Sequence, residues 1–179
     1  MNSLKSINLA RQYGQQRIQV LSILTMLISF LLIYTAMSAV LPGNLHDGLE
    51  LIFIIGLFLL YPVHKLLHYI PLLLHYKNFK TSWSIKFMMM PVPKMQVLEP
   101  VSKRYYIFAL CLPFMLINIL LVILMALFTQ YAHYFSILLS AHIGLCLSDF
   151  IYLKHIISMP QKCYIEKNGK EFDILINEE

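Results

Sequence analysis

From residue 105 to residue 148 the chain reads YYIFALCLPFMLINILLVILMALFTQYAHYFSILLSAHIGLCLS, 44 consecutive residues without a formal charge between Arg104 and Asp149. One helical crossing of a bilayer uses about 20 apolar residues, so this run is long enough for two. Gln130-Tyr131-Ala132-His133 is the polar interruption within it. The run therefore divides into spans over about 105–129 and 135–153. Upstream, an uncharged stretch from Ile18 to His46 has an apolar core over 20–41, about 33 Å of helix at 1.5 Å per residue. A further span over 51–74 follows the breaker Pro42-Gly43-Asn44 and the acidic residues Asp47 and Glu50. Four transmembrane helices result.

Composition agrees with that reading and excludes its rivals. Hydrophobic residues make up 59% of the 179 and charged ones 13%, with mean hydropathy +0.68. A water-soluble domain of this length has too little interior to hide so much apolar surface. Disorder is excluded by the 13% of aromatic residues. The excess of Lys and Arg lies beside apolar spans, not in a basic stripe interleaved with aromatics, so the partner it implies is the lipid bilayer and not nucleic acid. A cleaved signal peptide ending near Ala36-Met37-Ser38 is the alternative for the first span. Its apolar stretch and its 17-residue head are both too long for that role.

Orientation follows from the positive flanks. The head (1–17) carries Lys5, Arg11 and Arg17, and the loop over 75–104 carries six Lys and Arg; the segments 42–50 and 130–134 carry none. Cytoplasmic loops collect Lys and Arg, so the head, the loop and the tail (154–179) are expected in the cytoplasm of a multi-pass cell-membrane protein. The prolines of Phe87-Met88-Met89-Met90-Pro91-Val92-Pro93 argue against a helix and for an extended or re-entrant segment at the cytoplasmic surface. In the tail, Asn168-Gly169 between short alternating runs predicts a β-hairpin over 163–176. The expected fold is thus all-α integral membrane, four helices with a short cytoplasmic β-hairpin tail. Cys111, Cys146 and Cys163 form no disulfide framework, and the first two read as small hydrophobes in apolar runs.

Ionisable groups at membrane depth are costly and face a cavity or a partner. Here they are His64, Lys65 and His68 on the second span and His142 and Asp149 on the fourth. His64 and His68 are four apart, on one helix face, a spacing that suits two imidazole ligands of one metal ion. Both spans descend in the same direction, and Asp149 falls at a depth similar to His64, about 21 Å in. The alternative is a pair of interfacial histidines held by hydrogen bonds, with Lys65 reaching toward headgroups. Pro62 and Pro71 bracket the motif and free backbone carbonyls around it. Without a metal, a Lys65–Asp149 ion pair is the economical way to hold both charges.

The order of an apolar span, a His-x-x-x-His span, a proline-containing loop, Lys103-Arg104-Tyr105-Tyr106 leading into Leu112-Pro113-Phe114, Ser148-Asp149, and Met159-Pro160 before the tail resembles a family of small bacterial membrane proteins. That family is classed as "putative zincin peptidases" and is distantly similar to site-2 type intramembrane metalloproteases. The resemblance covers about 51–176. It implies zinc held by His64, His68 and Asp149. It also implies a glutamate between the histidines as general base, where this chain has Lys65; a glycine of the pattern is Ser148 here. A protonated lysine cannot take a proton from a metal-bound water. The first reading is therefore a catalytically degenerate relative that binds a membrane segment or an extended peptide beside Phe87–Val92. An active zinc-dependent peptidase with an unusual base is a second. A non-enzymatic four-helix interaction or immunity-type subunit is a third.

Overall fold

Four stretches of the chain are helical for 25 or 26 residues each in the computed structural model, which describes residues 2–7, 10–40, 45–75, 79–86, 90–97, 99–160, 163–168 and 171–176. They are α1 (Gln15–Val40), α2 (Glu50–His75), α3 (Lys103–Leu127) and α4 (Ala132–Ile157). At 1.5 Å per residue each is about 38 Å long, more than the roughly 30 Å hydrocarbon layer. All four are long and apolar enough to cross a membrane. The helices start and end close to the expected spans. The largest departures are at α1, which starts five residues early, and at α4, which runs from Ala132 to Ile157 because Asp149, Lys154 and His155 continue the helix instead of ending it. A cation in a last turn suits the negative end of the helix dipole, and Lys154 stands there. Helix α2 continues through Pro62 and Pro71, and α3 through Pro113.

The strand content exceeds the expected tail hairpin. Strands β1 (Asn2–Ile7), β4 (Val101–Ser102), β5 (Cys163–Asn168) and β6 (Glu171–Ile176) form one sheet in the order β1-β6-β5-β4. The hairpin β5–β6 is antiparallel, with Asn168 opposite Glu171; Gly169 of the expected turn lies outside the described residues. Strand β1, absent from the sequence reading, pairs with β6, and the register shifts between Ser3 and Lys5. Leu4 is thus the extra residue of a bulge, and a bulge breaks the alternation by which a strand is recognised. Strands β2 (Phe79–Lys86) and β3 (Met90–Val97) form a separate antiparallel hairpin, so the proline-containing loop is extended, as expected, but paired. The breaker Pro42-Gly43-Asn44 and residues 87–89 lie outside the described residues.

The chain divides into two compact units. One comprises 16–64 and 113–148. In it Ser136, Ser140 and Gly144 recur every fourth residue along α4, all buried. A Cβ on Gly144 would lie 2.9 Å from Met26 Cβ and 2.9 Å from the Ser22 carbonyl oxygen of α1, so only glycine fits this approach. The Leu138 side chain packs over Gly56 of α2, and Phe53 meets Tyr134 ring to ring. At one end, His46 N–H donates to the Gln130 carbonyl, joining the two segments that lack Lys and Arg. The other unit comprises 1–15, 65–112 and 149–179 and holds both sheets. Its interior includes Val101, Cys163, Ile165 and Ile156. The buried Lys103 ammonium donates to the Ile157 and Met159 carbonyls, satisfying acceptors that the end of α4 leaves open.

Candidate functional site

The metal-ligand residues expected from sequence are His68 and Asp149 in one compact unit and His64 at the edge of the other, and the three form one of the groups whose donor atoms could hold a metal ion. In the unit that holds the sheets, His68 of α2 lies beside Asp149 of α4. His68 Nδ1 is 2.8 Å from the Ala109 carbonyl oxygen of α3. A carbonyl can only accept, so the ring donates there and its proton sits on Nδ1. The other ring nitrogen, Nε2, is 3.4 Å from Asp149 Oδ2. In the neutral ring Nε2 offers a lone pair, and a carboxylate oxygen offers lone pairs only. Two acceptors can face each other at this distance when a positive charge lies between them.

Distance bears on what that charge is. A charge-assisted N–H···O bond closes to about 2.7–2.9 Å. Two atoms bound tetrahedrally to zinc at about 2.0–2.1 Å stand about 3.3–3.4 Å apart. The observed 3.4 Å has the second value. A ligand histidine usually donates its other ring N–H to a backbone carbonyl or carboxylate, as His68 does to Ala109. Both side chains are nearly buried, at 13% and 11% exposure, so little water screens the charges. By donor type and spacing His68 and Asp149 fit a zinc ion.

The second cluster belongs to the other unit. His64 Nδ1 is 3.1 Å from His142 Nε2, and His142 Nδ1 is 2.6 Å from Asn118 Oδ1 of α3. Cys146 Sγ is 3.6 Å from His142 Nε2, and 3.9 Å from both His142 Nδ1 and His64 Nδ1. His64, His142 and Cys146 are all buried and form a group that can hold a metal ion. His64 and His68 sit one turn apart on α2, as their spacing requires. Lys65, at the position between them, is half-buried. Within 105–127, Asn118 is the one side-chain amide, and His142 and Cys146 repeat the i, i+4 spacing of His64 and His68. Those signals could have marked Asn118 and Cys146; the Ala109 carbonyl carries no side-chain signal at all.

Groups of imidazole, thiol and carboxylate donors on α2 and α4, in a chain whose four helices are long and apolar enough to cross a membrane, define a helical protein with side chains that could bind a metal ion. The chain belongs to the family described as "Putative zincin peptidase", whose pattern it matches over residues 57–164, more than half of its length and all of the residues in both clusters. No curated protein and no solved structure matches it.

Proposed function

We propose that this protein is a multi-pass cell-membrane member of the zincin family that binds zinc through His64, His68 and Asp149 and engages a membrane segment or extended peptide without cleaving it. The observation that carries the metal site is the His68–Asp149 contact: a ring whose Nδ1 is committed to Ala109 and whose Nε2 faces a carboxylate oxygen at 3.4 Å. His64, one turn away on the same helix, is the further imidazole in the family's pattern.

Zinc in such a site supplies a Lewis acid and an acidified water. Turning that into peptide hydrolysis needs a side chain that accepts the water's proton and delivers it to the leaving amine. Lys65 stands where the family's carboxylate would, and an ammonium has no lone pair to accept with. In sequence the nearest carboxylates to it are Glu50, four turns earlier on α2, and Glu99, beyond the loop. The chain therefore keeps the ligands and lacks the base. Substrate-like engagement is left to the extended segment at β2–β3 and to the apolar helix faces.

Two measurements on the detergent-purified full chain test this. Elemental analysis should find about one zinc per chain, lost in His68→Ala. A peptidase assay against transmembrane peptides should find no turnover. Zinc-dependent cleavage abolished by His64→Ala would establish the active peptidase, and absence of bound zinc would favour the non-enzymatic interaction subunit.

A further inference from the structure

We infer that Asn118 and His142 are positioning residues that fix the tautomer of His64 and present its Nε2 to the metal. The inference rests on the metal site proposed above and extends it to residues on α3 and α4. The Asn118 side-chain oxygen is an acceptor, and it lies 2.6 Å from His142 Nδ1, so that nitrogen carries the proton. His142 Nε2 then holds a lone pair. It lies 3.1 Å from His64 Nδ1, which must be the donor of that bond. His64 consequently carries its proton on Nδ1 and its lone pair on Nε2. One amide oxygen at the start of the chain of bonds thus sets the state of two imidazoles.

The outcome for His64 is the same as for His68. Each ring donates from Nδ1 to a fixed acceptor, His142 for one and the Ala109 carbonyl for the other, which places the lone pair of each neutral ring on Nε2. Burial makes the relay consequential. His64 is 2% exposed and His142 0%, so neither ring can exchange its partner for bulk water. An imidazole with a movable proton would offer its Nε2 lone pair only part of the time, whereas a fixed one offers it always.

A rival arrangement uses the same rings as ligands, with a cation held by His64 Nδ1, His142 Nε2 and Cys146 Sγ. The ring nitrogens argue against it: at 3.1 Å they stand at hydrogen-bond distance, closer than the about 3.3 Å or more between two nitrogens on a tetrahedral zinc ion. The Cys146 sulfur lies 3.6 Å from His142 Nε2, whose one lone pair the shorter bond from His64 already takes, so the thiol is in packing contact with the ring. Cys146 then serves packing, and its loss should not touch metal binding.

The test has two arms on the full chain in detergent. Nitrogen-15 spectra of the metal-free protein report the imidazole tautomers, and both His64 and His142 should be Nδ1–H. Competition with a chelator reports zinc affinity: Asn118→Leu and His142→Ala should weaken it by about 10- to 100-fold. Asn118→Asp, which restores an acceptor at the same place, should recover most of the loss that Asn118→Leu causes, and Cys146→Ser should leave affinity unchanged. An Nε2–H tautomer at His64 in a chain that still binds zinc overturns the relay alone. A thiolate-to-metal charge-transfer band in the cobalt-loaded chain, lost in Cys146→Ser, assigns the metal to the rival triad and overturns it as well. Failure of the wild type to bind zinc overturns the underlying reading, whatever the tautomers.

Discussion

The residue that decides between enzyme and binder is Lys65, because its charge has the wrong sign for both tasks of the missing carboxylate. A protonated lysine cannot accept a proton, and it lies one residue from His64, a ligand in the proposed zinc site. Exchanging it for glutamate replaces repulsion by attraction near the ion, so Lys65→Glu should raise zinc affinity by at least about tenfold, a difference of about 1.4 kcal/mol. Chelator competition measures this; an affinity equal to or below that of the wild type would remove Lys65 from the neighbourhood of the metal. In the metal-free chain the same lysine has a different role, as the ammonium that can balance Asp149. Lys65→Ala and Asp149→Ala should then each destabilise by about 3–5 kcal/mol while the double change costs less than their sum. Additive losses in urea unfolding of the metal-free protein would show that the two charges do not meet. His64, His68 and Asp149 were marked as candidates by the sequence because ionisable residues stand out in apolar runs. Asn118 was not, since a single amide in a membrane helix has many structural uses. Nor was the tautomer of either ring, which depends on acceptors contributed by α3 and α4.

Among the elements, the helices were legible and the strands only in part, for reasons that lie in periodicity. An apolar run of 20 or more residues has one interpretation at membrane depth, whereas β1 has six residues with a bulge at Leu4. In strand β3, Pro91 and Pro93 marked an extended or re-entrant segment but gave no sign of pairing. Residues two apart in a strand direct their N–H groups to the same side, so both missing donors can lie on the edge away from β2. The pairing with Ile85 and Trp83 is compatible with that placement. Helix α4 and strand β5 carry one sharper test each. At Gly144 an added methyl group would meet the Ser22 carbonyl and Met26 at 2.9 Å, so Gly144→Ala should cost about 1–3 kcal/mol, read as a lowered melting temperature in detergent. An unchanged melting temperature would mean that α1 and α4 do not approach so closely. In β5, Cys163 is buried, and burial pushes its thiol above the ordinary range while the Lys103 ammonium pulls it partly back. The neutral thiol is the form that folding favours. Its contribution to stability is therefore complete below the unfolded thiol's pKa, and is lost as pH rises through the raised value. A fall in stability at alkaline pH that Cys163→Ala lacks would register this, together with slow maleimide labelling of Cys163 at neutral pH.

At the scale of the whole molecule the question is which end of each helix faces the cytoplasm, and strand pairing bears on it independently of charge. Strand β1 lies at the beginning of the chain and β6 near its end, and they pair from Asn2 opposite Ile176 to Ile7 opposite Phe172. A sheet cannot be shared across a bilayer, since its backbone groups would be left unsatisfied in hydrocarbon. The pairing thus requires both ends of the chain on one side, which an even number of crossings provides and an odd number forbids. The bond from His46 N–H to the Gln130 carbonyl makes the same demand of the segments after α1 and after α3. Parity leaves two orientations, and the distribution of Lys and Arg chooses between them: three in the head and six over 75–104, against none in 42–50 or 130–134. We therefore predict that a reporter active only in the cytoplasm is active when fused after Glu179 or inserted between 76 and 78, and inactive when inserted between 42 and 44. Activity at the last site with silence at Glu179 would invert the protein. Opposite results at the two ends of the chain would be more damaging, because they would break the β1–β6 pairing and, with it, the four-helix topology that sets His68 beside Asp149.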